Sequence, residues 1–219
     1  MVGGCDASLL ISSNSFASAE PDVDTALELQ CPGIVSCADI IATATRDLIT
    51  MAGGPFYNIR LGRKDSFESY PKDGEGHIAR PNMTMDTIIN MFASKNLSVQ
   101  EMVALVGAHT IGFSRSLRNF CENNSKHMAA FNDVVTPGKF DNIYYINLQK
   151  GLGLLASDQT MISDQRTKTF VELNAKDPDA FFKAFAHAME KVSVYQVKIR
   201  KMGEVRRRCD VVNHLQGNC

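Results

Sequence analysis

The sequence carries almost no net charge, no long apolar run, no internal repeat and no low-complexity linker. Its 23 Lys and Arg nearly match 24 Asp and Glu, for a formal charge of -1. There is thus no cationic surplus of the kind that neutralises a phosphate backbone, and nucleic acid is not an expected partner. No stretch approaches the roughly 18 consecutive apolar residues of a membrane-spanning helix, so no membrane partner is expected either. The triplet Arg206, Arg207, Arg208 is expected to be a solvated surface or a source of local ion pairs. No carbohydrate-binding cluster is legible. What is present is 44% hydrophobic and 21% charged over 219 residues. That balance is ordinary for a globular chain long enough to bury a substantial core.

Helical patterning dominates, so the expected fold class is mainly α. Ser98 followed three residues later by Glu101 is a capping box, and Met102, Val103, Leu105 and Val106 give the helix it opens an apolar face. His109 follows directly. Taken alone, a histidine beside an apolar face is more often a satisfied core residue than a ligand. Ser36 and Asp39 form a second box, for a helix through Cys37, Ile40, Ile41, Ala44, Leu48 and Met51 that stops at Gly53 and Gly54. Asp177 before Pro178 opens another, in which Phe181, Phe185, Met189 and Val192 recur at helical spacing. A shorter helix is expected over 86–93, with Ile88, Ile89, Phe92 and Ala93 apolar. Residues 56–61 read as a short extended piece, and a small hairpin is expected near 139–145.

Seven separated segments then point in one direction. They are VGGCDASLL at 2–10, CPGIVSCADII at 31–41, LGRKDS at 61–66, LVGAHTIGFSR at 105–115, TPGKFDNIYY at 136–145, GLGLLASD at 151–158 and GEVRRRCDVVN at 203–213. In these motifs and their order the chain resembles the secreted plant haem peroxidases (class III). The resemblance implies a haem-peroxidase fold over residues 1–219 as a single domain. Its proximal half would be largely retained and its distal half depleted to a remnant at 1–30. It also implies haem b and calcium as cofactors, and hydrogen peroxide and small aromatic donors as partners. The implied reaction is reduction of the peroxide with one-electron oxidation of phenols. The implied location is outside the cell or in the cell wall.

Carried over residue by residue, the resemblance makes His109 the axial haem iron ligand. Asp158 would accept a hydrogen bond from its other ring nitrogen and make the imidazole more basic. Thr110, Asp133, Thr136, Lys139 through its backbone oxygen, and Asp141 repeat the oxygen-ligand spacing of a proximal calcium site. The plainer reading of Thr136, Pro137 and Gly138 is a turn with acids nearby. Val2 and Gly4 carbonyls with Asp6 and Ser8 side chains match part of a distal calcium site, and Glu20 matches a residue of the distal hydrogen-bond network. Ala79, Arg80 and Pro81 stand where the family has proline-x-proline at the substrate channel, so half of that rigidity is lost. Cys37 and Cys209 match a family disulfide, while Cys5, Cys31, Cys121 and Cys219 are left without an assigned pairing.

Two family residues have no counterpart in these 219 positions. They are the distal histidine, which shuttles a proton on the peroxide, and the distal arginine, which stabilises the departing charge. No catalytic residue is therefore assigned, and efficient peroxide cleavage is not expected of residues 1–219. The alternative is an inactive relative with weak or no haem binding. Family stretches are also skipped between Glu20 and Thr25 and between Arg115 and Cys121. The chain opens without a signal-peptide pattern, yet six cysteines and sequons at Asn82, Asn96 and Asn123 suit an oxidising, glycosylating compartment. Met1 is accordingly read as an alternative start, with the leader and the distal helix lost together.

Overall fold

A computed structural model describes residues 5–11, 33–70, 76–114 and 130–213. Val2, Gly4, Glu20, Cys31, Cys121, Cys219 and the sequon at Asn123 lie outside the described residues. The chain divides into two compact units. One comprises Met1–Arg46, Asn58–Ile78 and Glu190–Cys219, and the other comprises Asp47–Tyr57 and Ala79–Met189.

In the first unit, the start of helix α1 (Cys37–Met51) is fixed by residues distant in sequence. The Ser36 hydroxyl accepts from Asp39 N at 3.1 Å, as the capping box requires. The Asp39 carboxylate does not close that box. It accepts instead from Gly62 N at 2.7 Å and from the buried Arg63 guanidinium at 2.8 Å. The free N–H groups of Cys37 and Ala38 donate to the carboxylate of Asp65, at 3.2 and 2.9 Å. A buried ion thus does the work of a local cap. Cys37 and Ala38 pack with Ala7 and Cys209, flanked by Leu10 and Ile41. The Cys37–Cys209 disulfide closes this cluster across 172 residues of chain, which by loop entropy contributes about 5 kcal/mol before strain.

The arginine triplet divides. Arg208 pairs with Asp210 at the surface, at 2.8 Å. Arg206 is 2% exposed, and its guanidinium donates to the carbonyls of Cys209, Ala7 and Ser66. The surface expectation fails at Arg206 because loop carbonyls with no ladder partner need donors, and guanidinium brings five of them in a fixed fork.

The second unit is built from helices α2 (Met85–Ala93), α3 (Val99–Val106), α4 (Ile143–Gln149), α5 (Ala156–Ser163) and α6 (Gln165–Lys176), with most of α7 (Pro178–Ser193). Helix α2 is capped by Thr84 and buries Met85, Ile88 and Met91, while Ala93 is exposed. Asp177 caps α7 by accepting from Asp179 N and Ala180 N. The aromatic core stacks Phe140 on Phe181 at 5.4 Å, with Phe185 edge-on to Phe140 at 4.8 Å and Tyr145 edge-on to Phe181 at 5.0 Å.

Two extended-structure expectations are corrected. Residues 139–145 form no hairpin, because Asp141 Oδ1 accepts from Ile143 N and the chain enters α4. Among the described residues, a two-stranded antiparallel sheet pairs β1 (Phe113–Ser114) with β2 (Ala130–Phe131), Phe113 opposite Phe131. Residues 56–61 join no ladder, and the nearby extended pairing is an isolated bridge between Asp65 and Glu204. The mainly helical class stands.

Candidate functional site

Helix α3 carries the complete predicted capping box. Glu101 N donates to Ser98 Oγ at 3.2 Å, and Ser98 N donates to Glu101 Oε2 at 2.7 Å. The helix runs into a tight 3₁₀ turn over Gly107–Ile111 that presents His109. Gly107 is required at the junction: a Cβ there would stand 2.3 Å from Tyr145 Oη and 2.6 Å from the Phe181 ring. That close approach lets the Tyr145 hydroxyl reach Val103 O at 2.9 Å and pin the helix to the aromatic core.

The His109 ring is bound on one side and open on the other. Its Nδ1 lies 2.8 Å from Asp158 Oδ2 on α5, and the His109 side chain is 39% exposed against 2% for that of Asp158. With Asp158 ionised, Nδ1 carries the proton and donates it to the carboxylate. Nε2 then keeps its lone pair, the tautomer a metal ligand needs. Tyr144 packs edge-on against the imidazole, centroids 6.2 Å apart. Burial and the neighbouring Asp158 charge hold the Tyr144 phenol far above its ordinary pKa, so it stays protonated. Sequence reasoning missed Tyr144, whose signal was only its place in an aromatic pair.

Beside His109 lies a cluster with more oxygen acceptors than protons. Asp133 is fully buried and accepts at Oδ1 from Val135 N (2.8 Å), Thr136 N (3.1 Å) and Asn147 Nδ2 (2.9 Å). The single hydroxyl proton of Thr136 faces both Asp133 Oδ2 at 3.0 Å and Asp141 Oδ1 at 3.1 Å. The Thr110 proton is likewise placed between Lys139 O at 3.2 Å and Asp133 Oδ2 at 3.5 Å. Asp141 Oδ2 and Asn147 Oδ1 are buried and accept no hydrogen bond from the described residues. The Lys139 ammonium stands 3.3 Å from that Asp141 oxygen as an ion pair without hydrogen-bond geometry, on a side chain 65% exposed. Two carboxylates, two hydroxyls and a carbonyl short of donors could hold a hard cation, which takes six to eight such oxygens. Among the described residues no group of three or more His, Cys, Asp or Glu side chains could hold a metal. Any site here therefore draws on neutral oxygens, and Asn147 is the member that sequence reasoning missed.

Ala79, Arg80 and Pro81 are exposed. Pro81 O accepts from Ser157 N at 3.1 Å, which ties this segment to the residue beside Asp158. In the first unit, Asp6 is 3% exposed, Ser8 is half-buried, and Asp6 Oδ1 accepts from Ser8 N at 3.2 Å. The Cys37–Cys209 disulfide is formed.

The family profile described as Peroxidase matches residues 1–177. Peroxidase 6 of Arabidopsis thaliana is 50% identical over 262 residues, covering 99% of this chain and 80% of the relative. The chain belongs to the secreted plant haem peroxidase family. Peroxidase 65 and Peroxidase 41 of the same plant are 48% and 47% identical, each over 97% of this peroxidase and 76% and 78% of their own lengths. The first alignment is longer than the 219 residues of this peroxidase, so stretches of the relative within the matched span have no counterpart here. Membership brings haem and calcium as the family's cofactors, and hydrogen peroxide and a reducing donor as its substrates. Among the described residues no helix is long and apolar enough to cross a membrane.

Proposed function

We propose that His109 binds the iron of haem b through Nε2, while Asp158 holds the Nδ1 proton and sets the plane of the ring. Thr110, Asp133, Thr136, the Lys139 carbonyl and Asp141 bind one calcium ion, and small aromatic donors enter beside Ala79, Arg80 and Pro81. The observation that carries this reading is the 2.8 Å contact between an accessible histidine and a buried carboxylate. Haem, when bound, supplies the redox chemistry that couples two-electron reduction of hydrogen peroxide to one-electron oxidation of donors.

The chain's own contribution is positional and electrostatic. A proton kept at Nδ1 by the Asp158 carboxylate gives the imidazole partial imidazolate character, raising the donor strength of Nε2. Tyr144 closes one side of the pair with a neutral, apolar ring and keeps water from competing for Asp158. Calcium would neutralise the two carboxylates of the oxygen cluster and lock Thr110, hence the peptide bond to His109. The tie from Pro81 O to Ser157 N links the donor edge to the helix bearing Asp158.

The deciding experiment is haem titration of the purified chain, followed by absorbance, with peroxide-dependent guaiacol oxidation measured on the complex. The expected result is a Soret band abolished by His109→Ala, with donor oxidation present but slow, since residues 1–219 hold no counterpart of the distal histidine and arginine. A band insensitive to His109→Ala removes the assigned ligand. A His109-dependent band without donor oxidation leaves a haem-binding relative that is not an enzyme.

A further inference from the structure

Two of the three sequons fall within the described residues, and both are built into helix boundaries. Asn82-Met83-Thr84 ends on the residue that caps α2, and Asn96-Leu97-Ser98 ends on the residue that caps α3. The Thr84 hydroxyl accepts from Thr87 N at 3.3 Å, and the Ser98 hydroxyl accepts from Glu101 N at 3.2 Å. In each triplet the outer two residues are exposed, while Met83 is half-buried and Leu97 is buried. Asn142, Asn147 and Asn213 spend their amides on acceptors inside the fold, at 2.9 Å in each case. Among the described residues no hydrogen bond engages the side-chain amide of Asn82 or Asn96. Asn96 also stands in left-handed backbone, φ 59°, just past the end of α2, with its N–H donating to Ala93 O at 2.8 Å. Glycine fills such a position most easily and asparagine is the second choice, but only asparagine completes a sequon with Ser98.

We infer that Asn82 and Asn96 are N-glycosylated, and that both oligosaccharides are attached before α2 and α3 acquire their caps. The secreted location of the family brings the chain to the compartment that holds the donor, a lipid-diphosphate-linked oligosaccharide. In the transfer, the asparagine Nδ2 bonds to the anomeric carbon of the first sugar and the bond from that carbon to the diphosphate oxygen breaks. Nδ2 gives up one proton, and the lipid diphosphate leaves. The transferring enzyme recognises the asparagine together with the hydroxyl two residues on. In the folded chain those hydroxyls are taken by helix N–H groups, and the left-handed residue at Asn96 bends its triplet away from an extended stretch. One hydroxyl therefore serves twice, first as recognition element and then as N-cap. The order is fixed, because the cap withdraws what the enzyme reads. After folding, the exposed asparagines carry their sugars into solvent just beyond either end of α2, and neither attachment point lies in the core. The inference is independent of the haem and calcium readings, since it concerns none of their residues.

The test is translation of the full chain, behind a secretion leader, in the presence of microsomes, with glycan steps on the protease-protected product read by gel before and after enzymatic deglycosylation. Asn82→Gln and Asn96→Gln should each remove one step, and the double variant two. A protected chain that loses no step in either variant overturns the proposal, and a step lost in only one overturns the assignment at the other. Because transfer precedes folding, this readout does not require the variants to fold. Ser98→Thr should keep the Asn96 step and Ser98→Ala should lose it; a step retained in Ser98→Ala overturns the double role of the hydroxyl. For the order of events, the transferase is inhibited until synthesis has ended and then released, with and without dithiothreitol to keep the Cys37–Cys209 bond open. The steps at Asn82 and Asn96 should return in the reduced chain and stay largely absent in the oxidised one. Equal return in both overturns the order.

Discussion

At the scale of single residues, chemistry is set by what each polar atom already holds. His109 has Nδ1 spent on Asp158 and Nε2 available, the division that the proposed iron ligation requires. Replacing Asp158 with Asn keeps the shape and removes the charge. Haem affinity read by absorbance titration should then fall by about 10- to 100-fold, the usual loss when the partner of a metal-bound histidine is removed. Asp164 offers a test away from the site. The Arg166 guanidinium holds its carboxyl down to about 2, from an ordinary 3.8. A depressed folded-state value means the stabilisation is present above the unfolded value and disappears as pH falls from 3.8 toward about 2. Urea midpoints should accordingly show Asp164→Asn less stable than the parent at neutral pH, with the gap closing as pH falls through about 2. A gap that persists at the acid end would mean that Asp164 acts as a helix cap and not through its charge.

At the scale of elements, the junction of α3 with the following turn decides how His109 is presented. The capping box was legible because it is a local exchange of hydrogen bonds between Ser98 and Glu101. Ser98→Ala should cost about 1 kcal/mol in chemical denaturation. The need for glycine at 107 could not be read locally, since the atoms that exclude a Cβ come from Tyr145 and Phe181, far along the chain. Gly107→Ala should destabilise by about 1–3 kcal/mol through overpacking and should also weaken haem binding, because relief of the clash moves the turn. An alanine variant with unchanged haem affinity would show that the turn tolerates the shift. The hairpin prediction at 139–145 failed for a related reason: Asp141 capping α4 looks, in sequence, like a turn between two aromatic strands.

At the scale of the whole molecule, distant cross-links hold short elements together. Removing the disulfide with Cys37→Ser and Cys209→Ser should lower stability by about 2–5 kcal/mol, checked by denaturant unfolding under oxidising conditions. Chelation should lower the melting temperature and shift the haem spectrum together, since Thr110 follows His109 directly. If both stay unchanged, the oxygen cluster does not bind calcium. The sequence by itself determined the family, the mainly helical class and the capped helix leading to His109, and it singled out Asp158 and the Asp133 group as candidates. Those features reside in local periodicity and in motifs whose order survives inspection one residue at a time. Only the tertiary structure decided that Asp158 meets His109 across 49 residues, that Arg206 is buried while Arg208 is not, and that Lys198 reaches Asp6 across 192. Each of these depends on which donors and acceptors the folded chain brings within 3 Å or so of one another, and no spacing along the sequence encodes that distance.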